Sequence, residues 1–303
     1  MRINYFLVAL FAVALAACSS EKETPNGFKF KVVKKGDADS VARPGQLLLV
    51  DFVLKDSKDS TWNDSFKNGQ PAPVMVQDST MMANEKGLMQ MFRMVSPGDS
   101  IVTTLTIKEF FDQMTGGPVP PGFDSTLTLT YSFKIREITT VEKYQSEQQK
   151  IADEKSADQL KKDIEAIDKY LAEKGIEAVK LESGLRYVIV KQGKGENGKS
   201  GQTASVNYAG YTLEGKYFDT SDKKVAQEKG VYNPKREPYE PYPVTIDQSS
   251  VIQGWHEALK YLNKGAKGTF YIPSGLAYGP RRRSPEIGEN QILVFDMEVT
   301  DLK

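Results

Sequence analysis

The stretch Val251-Ile252-Gln253-Gly254-Trp255 decides how the C-terminal third of the chain folds. Two β-branched residues end an extended segment, and a glycine and a tryptophan then open a short helix. Apolar residues follow Trp255 at helical spacing, so the helix has one apolar face formed by Trp255, Ala258, Leu259 and Leu262. An indole at this place suits either the floor of an apolar pocket or an ordinary core, and the stretch alone leaves both open.

Apolar and polar residues alternate on both sides of this helix. Alternation with a period of two indicates half-buried antiparallel strands, and Gly265 is a stop signal for the helix between them. We therefore predict a strongly bent antiparallel sheet with one short helix across it, whose strands fall at residues 185–190, 204–208, 217–219, 268–272 and 292–299.

The same alternation extends from residue 27 to about residue 140, where Pro-Gly and Asn-Gly pairs mark turns. Strands are predicted at 47–54, 101–107 and 127–135, in a small β-rich domain without an obvious catalytic constellation. Methionines flank a short predicted helix in this domain. Methionine fills an irregular core more often than it forms a partner-binding surface, and the residues concerned are Met81, Met82, Met89, Met91 and Met94.

Residues 141–178 join the two β-rich regions and are dominated by Glu, Lys, Gln, Asp and Ala. A narrow apolar stripe, which includes Ile164 and Leu171, predicts one or two charged helices that end at Gly175. The stripe is short and irregular for a coiled coil. Packing against the chain's own domains is therefore favoured over pairing with a second copy.

The charge balance and the counts of Cys and His exclude several classes of function. Lys plus Arg equals Asp plus Glu at 40 each, so nothing points to nucleic acid as a partner. The single Cys excludes a disulfide within the chain, and no acidic calcium-type loop is present, so no metal is expected. His256 is the only histidine, and its place after Trp255 favours a solvent-exposed position over a catalytic base.

The first 17 residues have the pattern of a targeting signal. Arg2 provides a positive charge, an apolar run extends to Ala17, and residues 15–18 are similar to the bacterial lipoprotein cleavage box. Cys18 is the predicted lipidation site, and residues 18–26 are a flexible tether. Ser19 follows, not Asp, which favours the outer membrane. We expect a lipid-anchored protein of a bacterial cell envelope that faces the periplasm or the cell surface.

Separate blocks of residues 181–303 resemble FKBP-type peptidyl-prolyl cis-trans isomerases, in the family's order. They are Val206-Asn207-Tyr208-Ala209-Gly210, Gly215-Lys216-Tyr217-Phe218-Asp219-Thr220-Ser221, residues 251–255, Tyr271-Ile272-Pro273 with Ala277-Tyr278-Gly279, and Leu293-Val294-Phe295-Asp296. The resemblance implies a catalytic set of Asp219, Tyr278, Ile252 and Trp255. It also implies a substrate-binding set of Tyr208, Phe218, Tyr242, Val251, Ile287 and Phe295, and no cofactor.

The chemistry that the resemblance implies needs neither a nucleophile nor a metal. An Xaa-Pro bond isomerises over a barrier of about 20 kcal/mol that comes from amide resonance. On the family pattern, an aromatic pocket desolvates the amide over a Trp255 floor. The N–H of Ile252 and the hydroxyl of Tyr278 orient substrate carbonyls, and Asp219 is a fixed dipole held by neighbouring hydroxyls.

Three features depart from the minimal family domain. Tyr242 stands where the family usually has Phe. Residues 222–240 are an insertion with three prolines, which borders the pocket and is expected to alter the range of substrates. The run Arg281-Arg282-Arg283 is interpreted as a solvated loop, with steering of acidic substrates as the alternative.

Residues 27–140 are a weak repeat of this domain. Pro71-Ala72-Pro73-Val74 corresponds to residues 241–244, Gly87-Leu88 to Gly254-Trp255, and Tyr131 to Phe295. Trp62-Asn63 then replaces Phe218-Asp219, and Phe111 replaces Tyr278. Loss of the acid, the indole and the hydroxyl argues against isomerase activity there. This domain is expected to bind unfolded chains or to mediate assembly.

We therefore predict an α+β protein with two FKBP-like bent antiparallel sheets, each crossed by a short helix and joined by a charged helical connector. The predicted parts are a signal peptide (1–17), a tether (18–26), a degenerate domain (27–140), a helical linker (141–178) and an isomerase domain (179–303). The expected function is prolyl isomerisation in exported, proline-containing polypeptides. The alternatives are a chaperone or assembly factor without turnover, and an accessory lipoprotein of a surface machine of the gliding-motility type.

Overall fold

The computed structural model describes residues 20–78, 80 and 85–303. The predicted signal peptide, the lipidation site Cys18, and Met81 and Met82 lie outside these described residues. The chain divides into two compact units, which comprise residues 1–148 (unit 1) and 149–303 (unit 2). Each unit contains one seven-stranded antiparallel sheet.

The strands of unit 1 are β1 (Ser20–Glu23), β2 (Lys29–Lys34), β3 (Gln46–Asp56), β4 (Thr61–Asp64), β5 (Ala72–Met75), β6 (Ser100–Thr106) and β7 (Thr128–Thr140). They form a sheet with the order β1-β2-β6-β7-β3-β4, and β5 pairs with β3. In the part of unit 1 that the structure describes, three short α-helices accompany the sheet: α1 (Ser65–Asn68), α2 (Gly87–Phe92) and α3 (Ile107–Thr115).

A single long helix, α4 (Val141–Lys174), leads from unit 1 into unit 2. It ends immediately before Gly175, whose φ of +66° is left-handed. Its buried side chains are Asp163, Ile167 and Leu171. Ile167 and Leu171 pack on the sheet of unit 2 in a cluster with Tyr271, Ile292 and Val294. The apolar stripe thus packs within the chain, as predicted.

The strands of unit 2 are β8 (Val179–Lys180), β9 (Arg186–Lys191), β10 (Thr203–Thr212), β11 (Tyr217–Thr220), β12 (Tyr242–Thr245), β13 (Lys267–Ile272) and β14 (Leu293–Leu302). They form a sheet with the order β8-β9-β13-β14-β10-β11, and β12 pairs with β10. Two helices, α5 (Lys223–Glu228) and α6 (Gln253–Leu259), and two 3-10 turns, Pro234–Arg236 and Ser274–Leu276, complete this unit.

The two sheets have the same strand order, because β1 to β7 of unit 1 take the same places in their sheet as β8 to β14 take in the sheet of unit 2. They also share irregularities: β3 bulges between Leu49 and Val50, and β10 bulges between Ser205 and Val206. Gly45 donates to the Val76 carbonyl at 2.9 Å, as Gly201 donates to that of Ile246 at 3.0 Å. The weak sequence repeat therefore corresponds to a structural repeat, and the predicted α+β fold class is confirmed.

Four local predictions are wrong. Residues 20–23 of the predicted flexible tether form strand β1, which pairs with β2 at the edge of the sheet. Ile107 does not end a strand but opens α3, because Thr106 caps that helix and Glu109 completes the capping box. The helix that begins after Ile252 ends at Leu259 and does not reach Gly265. His256 is not exposed but only 5% accessible. Its Nδ1 accepts from the Asp247 N–H at 2.9 Å, and its Nε2 lies 3.0 Å from the Ser249 carbonyl oxygen.

Methionine packing in unit 1 follows the prediction for the described residues. Met91 on α2 is fully buried, and Met89 and Met94 pack against the same core. These side chains fill the space between the helix and the sheet, as unbranched, flexible groups do in irregular cores.

Candidate functional site

One cavity of about 1230 Å³ in unit 2 brings together all ten predicted catalytic and substrate-binding residues. These residues come from seven separate places along the chain and meet only because the sheet curves around α6. They are Tyr208, Phe218, Asp219, Tyr242, Val251, Ile252, Trp255, Tyr278, Ile287 and Phe295.

Trp255 forms the centre of an aromatic wall. Its indole packs edge-on against Tyr208, Phe295 and Tyr242, with ring-centre distances of 4.8, 5.3 and 6.5 Å. Gly254 permits this position, because a Cβ there would lie 2.4 Å from Cγ2 of Ile272. The close approach of α6 to the sheet leaves the indole only 5% exposed, so Trp255 belongs both to the core and to the cavity wall.

Gly210 allows two further rings to meet at the cavity. A Cβ at this position would lie 2.7 Å from ring atoms of both Phe218 and Phe295. The two rings are 5.6 Å apart and nearly perpendicular. A glycine near the C-terminal end of β10 therefore provides the space that the aromatic wall requires.

Asp219 is held by three hydrogen-bond donors. The Tyr208 hydroxyl donates to one carboxylate oxygen at 2.6 Å, and the Thr220 N–H donates to the other at 2.8 Å. Arg236 forms an ion pair with the same carboxylate. The guanidinium also donates to the Tyr208 hydroxyl oxygen at 2.5 Å. The carboxylate is thus fixed in orientation at the cavity wall.

The Tyr208 hydroxyl remains a proton donor to Asp219. Burial, with the hydrogen bond to the Asp219 carboxylate, raises the pKa of this hydroxyl above its ordinary value of 10.0. The hydroxyl therefore keeps its proton throughout the neutral range.

Ile252 and Tyr278 lie at two other edges of the cavity. Ile252 is the N-cap residue of α6, with an extended backbone (φ −63°, ψ 149°). Tyr278 follows the 3-10 turn Ser274–Leu276, and Arg283 lies over its ring at 5.6 Å. Arg281 and Arg282 are exposed and lie outside the cavity lining, as expected of a solvated loop, whereas Arg283 is exposed but lines the cavity.

Sequence reasoning missed Arg236, which belongs to the inserted segment 222–240. Only its place in a proline-containing insertion next to Tyr242 pointed to the site. The insertion has its own internal contacts: Tyr232 stacks on Tyr239 at 5.8 Å, and the Tyr232 hydroxyl donates to Glu237 at 2.9 Å. The expectation that it borders the cavity agrees with the lining, which includes Asn233, Lys235, Arg236, Pro238 and Glu240.

Unit 1 has different side chains at the equivalent positions. Leu54 pairs with both Tyr131 and Asn63, just as Gly210 pairs with both Phe295 and Asp219. An amide thus replaces the acid, and a leucine fills the space that the glycine leaves open. Ala72 pairs with Val50 where Tyr242 pairs with Val206.

Helix α3 places further aromatic rings at this part of unit 1. Phe110 stacks on Tyr131 at 6.3 Å and packs edge-on against Trp62 at 6.0 Å. Phe111 contacts Phe110 and Phe123 at 5.4 and 5.0 Å. Tyr131 and Trp62, which correspond to Phe295 and Phe218, therefore both pack against Phe110 of the same unit.

The described residues contain no cluster of three or more His, Cys, Asp or Glu side chains arranged to hold a metal ion. Within the same part of the chain, none of the helices has both the length and the apolar character that a membrane crossing requires.

Comparisons with known proteins agree on one family. The family model for FKBP-type peptidyl-prolyl cis-trans isomerases matches residues 194–300. A probable FKBP-type isomerase FkpA of Neisseria meningitidis is 35% identical over 162 residues, 53% of this chain and 54% of that protein. FkpA of Escherichia coli K12 is 37% identical over 148 residues, which are 49% of this chain and 48% of that protein.

One further relative and one solved structure are similar over a comparable range. The outer membrane protein MIP of Legionella longbeachae is 33% identical over 125 residues, 41% of this chain and 46% of that protein. The crystal structure of FkpA from Escherichia coli is 36% identical, with a TM-score of 0.37, over 54% of this chain and 67% of that chain.

The chain spans about half the length of the curated relatives that it matches. The matched part contains the aromatic cavity and the held carboxylate. Through its residues 194–300, this chain belongs to the FKBP-type peptidyl-prolyl cis-trans isomerase family.

Proposed function

We propose that unit 2 catalyses the cis–trans isomerisation of Xaa-Pro bonds in polypeptides. The observation that carries this proposal is the aromatic cavity around Trp255 with the tightly held Asp219 carboxylate at its wall. The family match and the names of the relatives support it.

The cavity suits a reaction that needs desolvation and orientation but no covalent step. The ground-state amide is stabilised by resonance and by water, and the twisted transition state has lost the resonance. A proline ring that packs on Trp255, between Tyr208 and Phe295, removes water from the amide. Each factor of ten in rate requires about 1.4 kcal/mol, so a few oriented contacts are sufficient for a large acceleration.

Asp219 acts in this proposal as a fixed dipole and not as a base. Its oxygens already accept from Tyr208, Thr220 and Arg236, so the carboxylate cannot turn freely towards a proton. A preorganised dipole of this kind stabilises charge that changes in the transition state without reorganising. The N–H of Ile252 and the hydroxyl of Tyr278 are proposed to hold substrate carbonyls on either side of the twisting bond.

The proposed clients are exported polypeptides that contain proline, and the proposed location is the cell envelope. The lipoprotein-type box at Cys18 supports a lipid anchor. One relative is named an outer membrane protein, which supports the same compartment. We also propose that residues 27–140 and 179–303 are the two domains, and that the connector 141–178 packs on the second of them through Ile167 and Leu171.

A second function is proposed for unit 1, namely non-catalytic binding of unfolded chains. The specific observation is the exposure of large apolar side chains in this unit: Phe66 is 48%, Met114 54% and Phe123 42% exposed. The last two flank Tyr131 and Trp62, the counterparts of the cavity rings.

A protease-free isomerisation assay on an Xaa-Pro peptide tests the main proposal with residues 20–303. Asp219→Val and Trp255→Leu should each lower kcat/KM by about tenfold or more. Trp62→Leu is the matched control, because Trp62 is the other tryptophan of the chain and lies in unit 1. Equal rates for all four proteins would contradict the proposal.

A further inference from the structure

A buried carboxylate of the long helix α4 makes a contact far along the chain. Asp163 is only 2% exposed, and its carboxylate accepts hydrogen bonds from both the N–H and the hydroxyl of Ser274. The distances are 2.7 and 2.6 Å, and the two residues are 111 positions apart. Gln159 donates to the other carboxylate oxygen at 2.7 Å.

Ser274 in turn holds the segment that carries Tyr278. Its carbonyl oxygen accepts from the N–H of Ala277 and from that of Gly279, each at 2.9 Å. These two donors are the residues directly before and after Tyr278. The position of the tyrosine is therefore set by the position of Ser274, which is itself fully buried.

The helix that supplies Asp163 is firmly seated on unit 2. Asp168 pairs with Arg186 at 2.9 Å, and Ile167 is fully buried. Gly184 brings the chain so close to α4 that a Cβ would lie 2.7 Å from Leu160. Because this part of α4 is buried and ion-paired, the Asp163 carboxylate is held rigidly and is not a mobile surface group.

We propose that Asp163 is a positioning residue for the isomerase site, which fixes Ser274 and thereby holds the Tyr278 hydroxyl at the cavity. This inference rests on the proposed function of unit 2. It makes the second half of α4 a part of the catalytic unit, so a protein cut at residue 179 lacks a component of its own site.

Substitution of Asp163 by Ala leaves the buried N–H and hydroxyl of Ser274 without their acceptor. In residues 20–303, Asp163→Ala should lower kcat/KM by roughly tenfold. Asp163→Asn keeps one amide oxygen as acceptor and should restore most of the rate. The matched control is Asp153→Ala, which removes a Gln149–Asp153 pair of the same i,i+4 type on the exposed part of the helix.

A double-substitution cycle separates positioning from general destabilisation. In a Tyr278→Phe background the hydroxyl is already absent, so Asp163→Ala should change kcat/KM by less than about twofold. The same loss in both backgrounds, or no loss in the wild-type background, would overturn the proposal.

Amide hydrogen exchange gives a readout that does not depend on activity. The N–H groups of Ala277 and Gly279 should exchange about tenfold faster in Asp163→Ala than in Asp153→Ala. Unchanged exchange would overturn the positioning role. If the unsubstituted chain has no isomerase activity but this exchange does increase, the proposed function is wrong while the anchoring of the Tyr278 segment stands.

Discussion

Arg236 from the inserted segment forms an ion pair with Asp219, the carboxylate at the cavity wall. The guanidinium reaches the site by lying over the Tyr208 ring at 5.4 Å. The insertion therefore contributes a side chain to the candidate site and does not lie only at the protein surface.

Arg236→Ala should weaken the site without unfolding unit 2. The substitution removes one of the three donors to Asp219 and the donor to the Tyr208 hydroxyl oxygen. We expect kcat/KM for an Xaa-Pro peptide to fall by about fivefold to tenfold. Arg281→Ala, an exposed arginine outside the cavity lining, is the control. Equal activity of the two variants would exclude a role for the ion pair.

Gly210→Ala should disturb the aromatic wall. The new Cβ would lie 2.7 Å from the rings of Phe218 and Phe295, and overpacking of this kind costs about 1–3 kcal/mol. Thermal unfolding should report a lower Tm, together with weaker peptide turnover. Gly288→Ala is the matched control, because its Cβ would meet nothing closer than 3.8 Å. An unchanged Tm for Gly210→Ala would contradict the packing argument.

Unit 1 should lose stability in acid through Asp99. Burial alone would raise the pKa of this carboxyl, but hydrogen bonds from Gly36, Ser96 and Lys35 outweigh it and lower the pKa below 3.8. The unfolded chain then binds the proton more readily than the folded one. The stabilisation is fully present above about pH 4 and is lost as the pH falls through the lowered pKa.

Denaturant unfolding followed by Trp62 fluorescence in a Trp255→Phe background measures this effect. The free energy of unfolding should fall between pH 4 and pH 2 in the unsubstituted unit, and the slope should be smaller in Asp99→Asn. Asp39→Asn, at an exposed carboxylate, serves as control. Identical slopes in all three proteins would show that Asp99 does not carry the pH dependence.

All isomerase activity should reside in unit 2. The double variant Asp219→Val/Trp255→Leu of residues 20–303 should return the isomerisation rate to the uncatalysed value. Unit 1 has Leu54 and Asn63 in place of Gly210 and Asp219, and Phe110 packs on Tyr131 there. The isomerisation assay at increasing protein concentration measures any residual rate. A residual rate that disappears on Trp62→Leu would locate a second active site in unit 1.

Much of the candidate site could be predicted from short sequence blocks. Trp255, Asp219 and Tyr278 stand in blocks that resemble those of the FKBP family, and it was this resemblance that implied a common pocket. Asn63 and Tyr131 could be aligned with their counterparts because strand alternation preserves register across the repeat.

Other contacts of the site could not be predicted from local sequence patterns. The burial of His256 depends on the loop at Asp247 and Ser249, which returns over the helix. Arg236 acts across 17 positions from Asp219 in a segment without regular periodicity. Asp163 and Asp153 lie in the same charged helical segment, and the sequence does not distinguish them. They differ only in their tertiary contacts, because Asp163 is buried against Ser274 and Asp153 is exposed.

The sequence by itself determined the α+β class, the strand pattern, the repeat and the family of residues 194–300, because alternation, glycine turns and short motifs are local properties of the chain. Only the tertiary structure decided which polar groups hold the cavity in place. Such groups act through hydrogen bonds between distant segments, and whether a carboxylate is solvated or buried against a partner depends on packing that no local pattern encodes. The anchor from Asp163 to Ser274 is of this second kind.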